Sequence, residues 1–184
     1  MKYMTVRNMQ RAFTWLVLVS VSVCALVFGF NYFNLQRPVN KILEQDERNA
    51  GVRVSVYYDS YIDTDTIVFD VRFVGPPAGY PGLFRVFFQF AREMQGRDIE
   101  HVMLAYNGRQ KLKIKGDDFQ ELGASFGAMQ PRQLLWELAR NMRLLNGRLV
   151  MSHIPGNYAQ MLQKNLSEDN ELQAASALFN TITQ

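Results

Sequence analysis

Apolar positions run together without a charge over residues 12–33, AFTWLVLVSVSVCALVFGFNYF, and the densest part, residues 13–30, is 18 residues long. About 20 such residues in a helix span a hydrocarbon core of roughly 30 Å. Trp15 and Tyr32 lie near the two ends of the run, where amphipathic rings settle among headgroups. The pattern therefore predicts a membrane-spanning helix over 12–33. A cleavable signal peptide also starts basic and then apolar, but its apolar part is shorter. Phe30, Asn31, Tyr32 and Phe33 offer no small-x-small cleavage site, and Cys24 follows Val23 rather than the small residue a lipoprotein signal needs. An uncleaved signal anchor is the reading kept.

Beyond the span the periodicity changes. Residues 34–50 are polar around Pro38 and read as a stalk, partly helical after the proline, that lifts a domain off the bilayer. Residues 52–58 alternate, with Val52, Val54, Val56 and Tyr58 on one face, and residues 66–74 do the same with Ile67, Phe69, Val71 and Phe73 inward and Asp70 and Arg72 outward. A period of two marks half-buried strands, and the short turn-rich DSYIDTD between them makes a hairpin. After the Gly- and Pro-rich residues 75–82, Arg85, Gln89, Arg92 and Gln95 recur at helical spacing in an otherwise apolar segment. This is one wet stripe on a helix over 82–96 whose broad dry face, Leu83, Phe87, Phe90 and Met94 with their neighbours, lies across a sheet.

Asn107-Gly108 separates two further strand-like runs within residues 101–115 and supplies the positive φ angles of a type I′ hairpin. Leu112 and Ile114 face in; Lys111, Lys113 and Lys115 face out as a ladder. Acidic Asp117 and Asp118 suit a helix N-terminus, and a helix from Pro131 carries Leu134, Leu135, Leu138, Met142 and Leu145 up to Asn146-Gly147. Residues 148–154 read as a short strand or link, 157–166 and 171–182 as helices. The order ββαββ followed by helices is α+β, with a mainly antiparallel sheet of four or five strands. The organisation expected is a cytoplasmic tail 1–11, an anchor 12–33, a stalk 34–50 and an extracytoplasmic α+β domain 51–184.

Charge changes the picture only once it is located. The net charge of +3 lies entirely in Lys2, Arg7 and Arg11, so the remaining 17 basic residues meet 17 acidic ones. A neutral domain lacks the footprint of a phosphate-backbone binder, and nucleic acid is not an expected partner. Basic residues before the span place the tail in the cytoplasm by the positive-inside bias, and the domain in the periplasm if the source is a bacterium.

No constellation for chemistry emerges. The two histidines, His101 and His153, have no His, Cys or paired carboxylate at ligand spacing, and the single Cys excludes a disulfide framework. Asp59, Asp63 and Asp65 lack the calcium-loop framework and suit a solvated turn. Gly123-Ala124-Ser125-Phe126-Gly127 has nucleophile-elbow spacing but follows a short helix instead of a buried strand. Asn165-Leu166-Ser167 is a glycosylation sequon, relevant in a eukaryotic secretory setting.

No catalytic residue, metal or cofactor is therefore nominated. The leading expectation is a single-pass anchored, non-enzymatic accessory or assembly subunit of an envelope complex. It contacts the bilayer through 12–33 and other membrane proteins through Tyr57, Tyr61, Tyr80, Lys111, Lys113 and Lys115. Small residues Ser20, Ser22 and Gly29 would permit helix contact with a second copy or another anchor. The alternatives are a small-ligand sensor with a pocket under the Phe-rich helix and a serine hydrolase using Ser125.

Overall fold

The computed structural model describes residues 6–150, with side chains from residue 10 onward. The expected helices over 157–166 and 171–182, His153, the sequon at Asn165 and the end of the 148–154 link lie outside them.

The apolar run forms helix α1 (Val6–Asn31), which continues through a π-helical turn (Tyr32–Gln36) directly into α2 (Arg37–Gln45). Pro38 explains the turn: it has no N–H to give and its ring crowds the carbonyl four residues back. A wider turn just before it, in which Arg37 N–H donates to Tyr32 O, lets the helix continue without breaking. Residues 34–50 are thus no spacer. Leu35 and Val39 are fully buried in the core, and a short 3₁₀ turn (Glu47–Asn49) leads into the sheet.

Strands β1 (Val52–Asp59) and β2 (Asp63–Val74) form the first hairpin, and α3 (Gly79–Glu93) carries the chain back to β3 (His101–Tyr106). A helical return to the same end of the sheet makes β2 and β3 parallel, while β3 and β4 (Arg109–Lys115) form an antiparallel hairpin through Asn107 and Gly108 at φ 49° and 82°. Helices α4 (Gly116–Ser125) and α5 (Pro131–Asn141) follow, and β5 (Arg143–Leu144) closes a mixed five-stranded sheet of order β1-β2-β3-β4-β5. The fold is α+β with one parallel ladder among antiparallel ones.

The core lies between the inner sheet face and α3. Phe87 meets Phe69 edge-on at 5.2 Å and Phe119 of α4 at 5.4 Å. Two residues of the expected wet stripe are fasteners: Gln89 bonds Asn49 and Asp46, and Arg85 donates to the carbonyl of Arg48. Hydrogen bonds from the Arg48 side chain hold the Asp46 carboxyl well below the usual carboxylate range.

Three expectations about the sheet are corrected. Phe73 is 44% exposed because a register shift between Arg53 and Val54 turns it outward, where the Arg53 guanidinium lies 4.8 Å over its ring. Asp70, on the outer face as expected, is completely buried. The helix from Pro131 ends at Asn141, because the open edge of β4 offers Arg143 and Leu144 a strand partner; Met142 stays buried while Leu145 turns out to 49% exposure.

Candidate interaction surface

The face of the sheet away from α3 is set by which side chains the registers bring abreast. Ser55, Asp70, Ala105 and Gln110 form one row, and Tyr57, Val68, Met103 and Lys113 the next. Thr66, His101 and Lys115 form a third. Asp70 is held by Arg72 at 2.6 Å, by the Gly108 N–H at 3.0 Å and by the Tyr57 hydroxyl at 3.4 Å. Its burial is therefore fully compensated by donors. Burial, with the Asp70 charge next, pushes the Tyr57 phenol above its ordinary pKa.

Tyr57 stacks on Tyr61 at 5.1 Å and 13°, so these two of the sequence-nominated tyrosines form one feature at the first hairpin. Tyr80 does not join them. It lies in the first turn of α3, half-buried against the core, beyond the end of β2 farthest from the hairpin tip.

The lysine ladder is likewise divided. A bulge opposite Leu104 and Ala105 leaves Lys111 as the extra residue of β4, and it lines neither hollow on this face. Lys113 and Lys115 remain in register and acquire neighbours that sequence reading missed. His101 pairs with Lys115 across β3 and β4, and Arg143 of β5 pairs with Lys113. The four line two adjoining hollows of about 360 and 300 Å³, which share His101 and Lys113 and include Met103 and Leu145 as apolar wall. Two acids border the hollows: Asp59, in the wall of the first, accepts from Gln110 at 2.7 Å, and exposed Glu100 lies 3.6 Å from His101, while Lys113, Lys115 and Arg143 have no acid among the ion pairs of the described residues. The Arg143 Nε is buried with no partner, while its Nη1 donates to the Gly147 carbonyl. Nothing local could have announced Arg143, since its place beside Lys113 exists only through the β4–β5 ladder.

This arrangement can hold an anionic group. Like charges directly opposite one another in a sheet repel, and an oxyanion between them would remove that repulsion. Among the described residues no three His, Cys, Asp or Glu side chains converge as a metal site, and Asp63 accepts from the Asp65 N–H within its own turn. Ser125 is the last residue of α4, at the carbonyl end of a helix, whereas an elbow nucleophile stands where a strand turns into one. Gly123 of that motif has a packing reason: a Cβ there would run into the Ala91 backbone. Among the described residues, a hollow beneath α3 between Phe69, Leu83, Phe87 and Leu138 is about 10 Å³, room for at most a single water.

Among the described residues one helix is long and apolar enough to cross a membrane, within residues 10–45, and its most apolar window is wholly exposed. The chain matches no protein-family model, no curated protein and no solved structure in comparisons with each.

Proposed function

We propose that this protein is a single-pass membrane-anchored subunit that works by binding: its domain, on the outer side of the membrane, docks an acidic segment of another envelope protein in the cleft of His101, Lys113, Lys115 and Arg143. The observation that carries the reading is the pairing in register of Lys113 with Arg143, two cations directly opposite one another with no acid between them, beside Lys115 in the same hollow. Such an arrangement is unfavourable to the isolated domain and favourable to an anionic partner. The anchor is supported by the exposed apolar helix, and its retention by the burial of Leu35 and Val39, since cleavage near residue 33 would cut a helix that the fold continues. Orientation rests on Lys2, Arg7 and Arg11 before the span.

The test is photocrosslinking in intact cells from a reactive residue at Lys115, followed by mass spectrometry of the products. The reading requires one defined membrane protein, linked through an acidic stretch and lost in Lys113→Glu. Recovery of the chain linked to itself would make a second copy the partner, and recovery of the chain alone would end the subunit reading. Extraction with alkaline carbonate, which leaves an anchored chain in the membrane pellet, checks the span separately.

A further inference from the structure

The first hairpin does not end at the domain surface; it returns to the apolar helix. Its turn runs Asp59, Ser60, Tyr61, Ile62, closed by the Ile62 N–H on the Asp59 carbonyl at 3.2 Å. Ser60 and Tyr61 both take positive φ, 49° and 64°, a conformation that Asn-Gly adopts freely and these side chains do not. The tip is thus composed for its side chains rather than for ease of turning. Asn31 of α1 donates to the Tyr61 carbonyl at 2.8 Å, and Phe28 meets the Tyr61 ring edge-on at 5.1 Å. Ile62 beside it is 73% exposed, as much as Leu26 of the helix.

Between tip and helix lies a cleft of about 720 Å³, walled by Leu26, Gly29, Phe30, Phe33, Tyr61 and Ile62 and almost wholly apolar. We infer that this cleft is occupied by lipid acyl chain, so that Tyr61 and Ile62 form a second membrane contact beside the anchor. The inference rests on the anchored reading above and fixes its depth. Phe28 is five residues before the end of the apolar run, which on a helical rise of 1.5 Å per residue sets the tip about 7 Å below that end, the depth of an interfacial segment. The helix side of the cleft is continuous with the lipid-facing surface of the span, so the same solvent fills both. Asp63 and Asp65 follow immediately and are exposed, which limits insertion to the two residues at the tip. A hairpin lodged there, tied to the anchor by Asn31, fixes the tilt at which the domain stands on the bilayer.

Tryptophan quenching by phosphatidylcholine brominated along its acyl chains tests this with the full chain in vesicles. In Trp136→Phe, Trp15 alone reports the anchor; in Ile62→Trp with Trp15→Phe and Trp136→Phe, the tip alone is read. Both fluorescences fall about twofold relative to unbrominated lipid, as placement at interfacial depth or below requires. Quenching at Trp15 with none at position 62 overturns the hairpin contact and leaves the anchor standing. No quenching at either overturns both. Position 62 is exposed, so the substitution leaves the fold intact, and Thr64→Trp in the same background, between Asp63 and Asp65 at the far side of the cleft from the tip, is quenched less if the tip enters first.

Discussion

The side-chain amide of Asn31 completes the open edge of β1 at Tyr58: its Oδ1 accepts the Tyr58 N–H at 2.8 Å while its Nδ2 donates to the Tyr61 carbonyl. One turn on, Gln36 repeats the device, accepting from Val56 N–H at 2.7 Å and donating to the Val54 carbonyl at 3.3 Å. An edge strand exposes a row of unpaired backbone groups, and here the helix closes that row with amides instead of another strand. The apolar helix and the domain are joined by directional bonds as well as by Leu35 and Val39. Replacing Asn31 by Leu keeps the branching at Cγ and strands two backbone groups, and lowers unfolding stability in detergent by about 2 kcal/mol. Leu35→Ala costs about 3 kcal/mol by leaving a cavity. Denaturant titration of both variants checks this; an unchanged midpoint for Asn31→Leu would show that the helix merely lies alongside.

Local periodicity carried the alternation of residues 52–58, the Asn107-Gly108 hairpin and the helix across the sheet, because each is decided by neighbours within a few residues. The stalk reading of residues 34–50 failed for the converse reason. Asn31 and Gln36 look like ordinary polar residues leaving a membrane, and only their partners 27 and 20 residues away reveal the role. Bulges did the rest: one displaced Phe73 to the outside and another removed Lys111 from its ladder, since a single extra residue reverses a period of two. Tyr57 was singled out by residue type and place, but its bond to Asp70 and the pairing of Arg143 with Lys113 depend on partners 13 and 30 residues away.

Tyr57 makes the stability of the domain sensitive to alkali. Its folded pKa is raised by burial and by Asp70, whereas in the unfolded chain it titrates at the ordinary value near 10. Above that value the unfolded state loses the proton while the folded state keeps it, so the unfolded state is favoured and stability falls as pH rises. The contribution is complete below pH 10 and is lost through the raised folded pKa. Tyr57→Phe flattens the decline in unfolding midpoint on the alkaline side, and absorbance at the phenolate band shows one late-ionising tyrosine fewer than in the parent chain.

Gly123 sets the approach of α4 to α3. A methyl group there meets backbone atoms of Ala91 and Arg92, which have no rotamer by which to yield. Gly123→Ala therefore separates the helices and strains the contacts of Phe119 with Phe87 and Phe90, at about 2 kcal/mol. Thermal unfolding measures it. Ser125→Ala, two residues on, leaves the unfolding midpoint where it was, which separates the structural glycine from the serine in the same motif.

Lys113 separates the demands of folding from those of binding. Directly opposite Arg143, it is a like-charge pair whose repulsion the domain bears alone when no anion is present. Lys113→Glu converts that pair to an attractive one and also offers the buried Arg143 Nε an acceptor it lacks. The variant is more stable than the parent by about 0.5 kcal/mol, the middle of the range for cross-strand pairs. In the same variant an acidic partner of the kind proposed would meet a carboxylate where it needs a cation, and crosslinking from position 115 is lost. A variant that gains stability and loses its partner marks the cleft as a surface kept for binding. One that loses stability shows the basic pair already compensated within the fold, and one that keeps the crosslink moves the partner to another face.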